Sequence, residues 1–290
     1  MITFAPLRTD AQALARYGAL FAACFPGATK FTPAYLQWLY ADNPDGPAVG
    51  YDAWDGDTLA AHYVCVPARV RLEGVEARLL LSLNTATHPS YQGQGLFTKL
   101  AQQTFDAGRD AGYDGVYGVA NANSTPGFIR KLGFQLVRPL EARVGLGPVG
   151  QPAPARDPAP SFQRLWSAAS LAWRCANPDN PVHAQRQRRR WRFDAAALGP
   201  ARAYAELELD LPAAVGGAAQ PVSAAAGHRS PLRLYLGLLP DSQRSFPFYP
   251  SIPQRLRPSP LNLIYRSLSG RVATLDPARI HFTFLDFDAY

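Results

Sequence analysis

Over the first 145 residues the spacing of apolar side chains switches between a period of two and a period near 3.6. Residues 2–7 alternate as a strand does. After Thr9 or Asp10, either able to cap a helix, Leu14, Tyr17, Leu20, Phe21 and Phe25 fall on one helical face. Thr32 and Pro33 suit the N-cap and first position of a second helix over residues 34–40, stopped by Asn43-Pro44. Residues 49–54 and 59–72 read as antiparallel strands around Asp55-Gly56, a hairpin signal. Glu73-Gly74 turns the chain into a strand that carries the apolar run 79–83 and ends near Thr87. Leu96, Phe97, Leu100, Ala101, Thr104 and Phe105 then recur at helical spacing. A strand over 112–119 and a short helix ending in Lys131-Leu132-Gly133-Phe134 follow. The predicted order is β-α-α-β-β-β-α-β-α-β.

The second half is patterned differently. Residues 145–160 are crowded with glycine and proline and can be neither helix nor central strand. We therefore divide the chain into domains at 1–145 and 161–290, with a linker at 146–160. Beyond the linker, residues 162–175 read as a helix, and 204–209, 232–238, 261–268 and 280–287 as strands. Residues 211–230 read as a long loop. Leu36-Gln-Trp-Leu-Tyr-Ala-Asp-Asn-Pro44 is echoed by Leu171-Ala-Trp-Arg-Cys-Ala-Asn-Pro178, one residue shorter. Two readings stay open: coincidence between two helix stops, or a second, degenerate copy of the first half.

The chemistry concentrates at Gln92-Gly93-Gln94-Gly95, between a strand and a helix. A glycine-rich turn opening a helix leaves backbone N–H groups unpaired and convergent, and the helix dipole adds positive charge there, which suits a pyrophosphate. There is no G-x-G-x-x-G and no Gly-Lys-Ser/Thr, so the dinucleotide and P-loop patterns are excluded. Net charge is +7, nearly all from arginine, since Lys30, Lys99 and Lys131 are the lysines; this favours anionic ligands. The run Arg186-Gln-Arg-Arg-Arg-Trp-Arg192 reads first as a solvated basic face and second as a phosphate contact. It lacks a nucleic-acid-binding fold around it. Cys24, Cys65 and Cys175 have no metal-ligand spacing and form no disulfide framework. With no apolar run long enough for a signal or membrane helix, a soluble cytoplasmic protein is expected.

The order of strand, Pro89, Tyr91, glycine turn, amphipathic helix, strand, Asn121, Asn123, short helix and Gly133-Phe134 resembles the GNAT superfamily of acetyl-CoA-dependent N-acyltransferases over residues 1–145. The family's hallmark, Gln/Arg-x-x-Gly-x-Gly/Ala, is met by Gln92-Gly-Gln-Gly read one residue short; a better register starts at Tyr91 or Ser90, and the glutamine-or-arginine position is not cleanly matched. The resemblance implies an α/β (α+β) fold, a mixed central sheet flanked by helices, in which two parallel strands splay to admit the pantetheine of acetyl-CoA. It implies a carbonyl-polarising backbone N–H near Ala86, Thr87 or His88. Cofactor contacts would come from Gln92, Gly93, Gln94, Gly95, Leu96 and Phe97 at the turn, and from Asn121, Asn123 and Phe128 across the gap. The asparagines also read as a polar loop with Asx-turns.

Direct attack of a neutral amine on a thioester needs a base and a proton for the leaving thiolate. A tyrosine common in the family four residues before Gly133 is Ile129 here; Tyr117 and Tyr91 are alternative phenols, each also readable as a packed aromatic. His88 and His62 are candidate bases, His62 facing either the core or the acceptor cleft. The chain most resembles the enhanced-intracellular-survival-like acetyltransferases, among them polysaccharide-biosynthesis-associated members. In that group the terminal carboxylate reaches the active site, which makes Tyr290 a third candidate; an ordered edge strand is the plainer reading of residues 280–290. The expected acceptor is a small-molecule amine, such as an amino sugar or sugar nucleotide, with no metal, nucleic acid or membrane involved. The alternative is a non-catalytic CoA-binding or scaffold protein.

Overall fold

The computed structural model describes residues 1–147, 149, 159–187, 190–197, 199–211, 231–243, 245–257 and 259–288. In chain order it contains β1 (Ile2–Pro6), α1 (Ala11–Cys24), α2 (Pro33–Tyr40), β2 (Val49–Asp55), β3 (Thr58–Leu72), β4 (Val75–Thr87), α3 (Leu96–Asp110), β5 (Gly115–Ala120), α4 (Thr125–Leu132) and β6 (Gln135–Pro139). It continues with β7 (Glu141–Gly145), β8 (Phe162–Arg164), α5 (Ala168–Cys175), β9 (His183–Gln187), β10 (Arg190–Ala196), β11 (Arg202–Glu208), β12 (Arg233–Gly237), β13 (Asn262–Ser267) and β14 (Ile280–His281). Two compact units emerge. The first comprises Met1–Arg69, Ala77–Val137 and Asn262–Thr274; the second comprises Val70–Glu76, Arg138–Leu261 and Leu275–Tyr290. These units interleave along the chain, whereas the domains read from the sequence are consecutive.

In the first unit the sheet runs β1-β2-β3-β4-β5-β13-β6. β1 to β2 and β2 to β3 are antiparallel, β4 to β5 is parallel, and β13 returns antiparallel to β5. The element order through β6 is the one the periodicity predicts. The helix starts are also those the capping residues predict: Asp10 accepts from the Ala13 N–H, and Thr32 accepts from the Tyr35 N–H with Pro33 behind it. α3 buries Leu96, Leu100, Ala101, Thr104, Phe105 and Gly108. Gly108 permits close approach to the sheet, since a Cβ there would lie 2.7 Å from Leu80 Cδ1. Phe105 is fully buried, in a cluster with Tyr63, Leu80, Leu100 and Phe134. Truncating such a ring typically costs about 3–5 kcal/mol.

The second unit is built on a sheet ordered β7-β12-β11-β10-β9. Trp191, Phe193 and Ala195 alternate inward along β10, in one cluster with Trp166, Leu171, Phe284 and Leu285. The arginine run lies on β9 and β10, apart from residues 188 and 189, which are outside the described residues. Arg190 and Arg192 both reach Glu206, at 3.3 and 3.6 Å. A charged strand face with its own counter-ions is thus the setting of this run.

Strands β7, β9 and β10 are not predicted from the sequence, and two predicted elements take another form. The helix expected over 162–175 is strand β8 followed by α5, because Ser167 caps a helix: it accepts from the Ser170 N–H, and the Ser170 side chain returns the contact to the Ser167 N–H. The strand expected over 280–287 is the two-residue β14 followed by a 3-10 turn at Phe284–Asp286. Thr283 and Asp286 form a second reciprocal cap there, and Arg174 donates to the carbonyls of Leu285, Phe284 and Phe287 at 3.1, 3.4 and 3.3 Å. Both echoed asparagines, Asn43 and Asn177, are buried and accept a backbone N–H two residues on.

Candidate active site

β4 and β5 are paired only from Leu79 opposite Gly115 to Ser82 opposite Gly118. Past Ser82, β4 continues to Thr87 and β5 to Ala120, while the other edge of β5 stays paired to β13 as far as Ala120 opposite Asn262. Two residues past the last β4–β5 pair, Asn84 has φ 46. A side chain other than glycine seldom takes that left-handed conformation within a strand. The strand therefore turns away from β5 at Asn84, and the end of β4 lies along β3, where the His88 N–H donates to the Ala60 carbonyl at 2.9 Å. This is the splay that the resemblance implies.

Beyond the end of β4, the turn places Gly93 at φ 78 and Gly95 at φ 75. A Cβ built at either glycine would meet nothing within 4 Å. Gly95 is the N-cap of α3 and makes no side-chain cap. The first backbone bond into the helix is Lys99 N–H to the Gly95 carbonyl, at 3.2 Å. The N–H groups of Leu96, Phe97 and Thr98 precede it, and helix geometry leaves them without an intrahelical acceptor. Open space in front of N–H donors at the positive end of a 15-residue helix fits a pyrophosphate.

The remaining residues expected at the cofactor site are placed as follows. Gln92 and Gln94 are exposed, and Gln92 Nε2 lies 3.5 Å from the Thr87 carbonyl. Leu96 is buried and Phe97 half-buried, their rings and branches turned to the core cluster. Ala86 is buried at its side chain, so any part it plays is through its backbone. Asn121 is exposed, and its Oδ1 accepts from the N–H groups of Asn123 and Ser124 at 3.0 and 2.9 Å, the Asx-turn reading of this loop. Asn123 is exposed in the same turn. Phe128 is buried between Phe97 and Phe134, with ring centroids 5.3 and 5.0 Å away, so it serves the core.

The acid–base candidates separate clearly. His88 is half-buried, and its Nδ1 accepts from the Ser90 N–H at 3.3 Å in a tight turn. Tyr117 is fully buried, and Tyr91 donates to Asp55 at 3.2 Å. Desolvation and the Asp55 carboxylate push the Tyr91 phenol above its ordinary range. Tyr290 lies outside the described residues. His62 faces the core: it has no exposed surface, and its Nδ1 is 2.7 Å from Asp52 Oδ1 and its Nε2 3.2 Å from the Tyr40 hydroxyl. It cannot meet an acceptor directly.

Four residues in this part of the molecule were not singled out from the sequence. Asp52 is the buried partner of His62, and Tyr17 donates to its other oxygen at 2.7 Å. Tyr17 stays protonated because burial, and then the Asp52 charge, raises its phenol far above the ordinary value. Tyr40 follows His62, and Asn84 Nδ2 donates to the Tyr40 oxygen at 3.2 Å. Asp52 faces His62 because β3 carries one extra residue: Trp54 pairs with Leu59 but Ala53 pairs with Ala61. An unbroken hairpin register would set Asp52 opposite Ala61 instead.

Among the described residues, no helix is long and apolar enough to cross a membrane, and no group of three His, Cys, Asp or Glu is placed to hold a metal ion. Comparison with known proteins agrees with the geometry of the first unit. Residues 9–137 match the family model described as the acetyltransferase (GNAT) domain. None of the curated proteins matches the sequence significantly. Among solved structures, a probable N-acyltransferase of unknown function from Enterococcus faecalis V583 is similar at a TM-score of 0.59 and 10% identity, over 93% of this chain and 73% of that one. A GCN5-related N-acetyltransferase from Anabaena variabilis ATCC 29413 gives 0.58 and 11%, over 92% and 73%. At such identities the likeness concerns the fold. Residues 9–137 are thus similar to the acetyltransferase (GNAT) domain, and the chain has a mixed α/β fold with sheets flanked by helices.

Proposed function

We propose that this protein transfers an acetyl group from acetyl-CoA to a primary amine of a small acceptor. The observation that carries this reading is the parting of β4 from β5 beside two left-handed glycines at the uncapped start of α3. Acetyl-CoA supplies an activated thioester: the acceptor nitrogen bonds to the acetyl carbon, the C–S bond breaks, the thiolate takes a proton and the nitrogen loses one. The N–H groups of Leu96, Phe97 and Thr98 hold the pyrophosphate. The edge of β4 that β5 has left pairs with the pantetheine amides as an added strand would. N–H groups alternate sides along a strand, and that of His88 is directed to β3. The Thr87 N–H therefore points toward the gap and polarises the thioester carbonyl there. Of the three positions suggested by the resemblance, Thr87 is therefore the one we propose.

An amino sugar or sugar nucleotide is the acceptor class that the resemblance to the enhanced-intracellular-survival-like group favours, and the cytoplasm the compartment that supplies acetyl-CoA. A second reading, CoA binding without turnover, draws on Ile129 at the family's tyrosine position and on the burial of Tyr117 and His62. One experiment separates them. The protein is incubated with acetyl-CoA and a panel of amines, and thiol release is followed together with the mass of each amine. Acceptor-dependent thiol release with a matching acetylated product supports transfer. CoA binding without product from any amine supports the second reading.

A further inference from the structure

The side chains of Tyr17, Asp52, His62 and Tyr40 form a continuous hydrogen-bonded chain in the core of the first unit, and it ends on Asn84. Its members are buried to within 1% exposure, whereas Asn84 is half-buried in β4. With His62 as the neutral Nδ1–H tautomer, the bonds run in one consistent sequence. Tyr17 receives the Arg8 N–H at 3.1 Å and donates to Asp52. Asp52, accepting at both oxygens, takes the Nδ1 proton of His62. With that tautomer Nε2 is an acceptor and takes the Tyr40 hydroxyl proton. The Tyr40 oxygen is then left to accept Asn84 Nδ2–H. Rings crowd the imidazole as well, with Tyr17 at 4.3 Å, Phe21 at 5.6 Å and Tyr40 at 5.7 Å between centroids.

Such a chain could be a core network with no bearing on the site. Its terminus argues otherwise. Asn84 is one of two described residues other than glycine with positive φ; the other, Glu73, sits in the turn between β3 and β4. A strained conformation inside a strand persists only where its surroundings hold it. Here it stands at the point where β4 leaves β5, immediately before the strand edge assigned above to the thioester.

Building on the functional reading above, we propose that Tyr40, His62 and Asp52 are positioning residues that clamp Asn84 in its left-handed conformation. The clamp fixes the edge of β4 at residues 85–87 against the acetyl group of acetyl-CoA. His62 then acts through Tyr40 and Asn84, without touching either reactant. The buried chain offsets the backbone strain of a residue with a Cβ; a glycine at 84 would need no such support.

The test uses the full chain and two ligands, acetyl-CoA and CoA, which differ only in the acetyl group, with dissociation constants measured by calorimetric titration. Asn84→Ala and Tyr40→Phe weaken acetyl-CoA binding about tenfold, a shift of about 1.4 kcal/mol, while CoA affinity stays within twofold. Asn84→Gly keeps native affinity for both ligands. The double variant Tyr40→Phe/Asn84→Gly does so too, because glycine takes the conformation unaided; this rescue is a response that general loss of stability would not produce. Equal weakening of both ligands, no change in Asn84→Ala, or failure of glycine to rescue Tyr40→Phe would overturn the clamp. Native protein that binds neither ligand would instead end the functional reading, and the clamp with it.

Discussion

Replacing Gly95 by alanine separates ligand contact from backbone strain. Gly95 has φ 75, and an added Cβ meets nothing within 4 Å, so the substitution introduces strain and no clash in the protein itself. Holding a residue with a Cβ in the left-handed region costs about 1–2 kcal/mol. For a chain of this size that corresponds to a fall in Tm of about 2–8 °C. The same Cβ projects into the space assigned to the pyrophosphate and holds it off the N–H groups of α3. Losing one hydrogen bond to a charged group costs about 1.5–3 kcal/mol, or about 10–150-fold in affinity. Gly112, at the other end of α3, supplies the control. It has φ 78 and equally open surroundings, and the 15 helical residues between the two put it about 22 Å away. Gly112→Ala should therefore lose similar stability and bind CoA normally. Calorimetric titration with CoA and a thermal scan on each variant decide the matter. Native affinity in Gly95→Ala, or an equal loss in Gly112→Ala, would refute the placement of the pyrophosphate.

Two further predictions concern the second unit. Burial pushes the Asp286 carboxyl up to about 6, against the pull of Arg164 and Arg174 and its bonds to Thr283. The folded state thus holds a proton that the unfolded state releases near pH 3.8. The contribution of this group to stability is full below that pH and falls by about 3 kcal/mol as pH rises through 6. Asp286→Asn should remove that fall, seen as a smaller difference in urea midpoint between pH 4 and pH 7 than in native protein; an unchanged difference would contradict the assignment. Arg174→Met keeps the volume but strips the donors from the carbonyls of Phe284, Leu285 and Phe287. It should lower stability by about 1–3 kcal/mol in urea unfolding, and an unchanged midpoint would show that these bonds contribute nothing net.

The parts of the fold legible in the sequence are those encoded by neighbours in the chain. Asp10, Thr32 and Pro33 announce helix starts by residue type alone, and Gly93 and Gly95 announce a turn with positive φ. The same local logic misled where a cap lay inside an apolar run. Ser167 splits residues 162–175 into strand and helix, and the reciprocal contacts of Thr283 and Asp286 wind an alternating segment into a 3-10 turn. What depends on pairing across the sheet was not legible. The apolar pattern of residues 261–268 announces a strand but not that it would lie beside β5. His62 drew notice as a histidine, while its partner Asp52 is set by a one-residue irregularity in β3 that no turn signal marks. Tyr40 and Asn84 lie 44 positions apart and meet only in the folded chain.

The central claim is that one ligand occupies both the glycine turn and the parted strands. Hydrogen exchange followed by mass spectrometry, with and without saturating CoA, tests it on the native chain. The account predicts slowed exchange in peptides covering residues 84–88 and 93–99, and unchanged exchange across β10 and β11. Protection confined to β10 and β11, or no change at either glycine turn or strand edge while CoA is demonstrably bound, would contradict it.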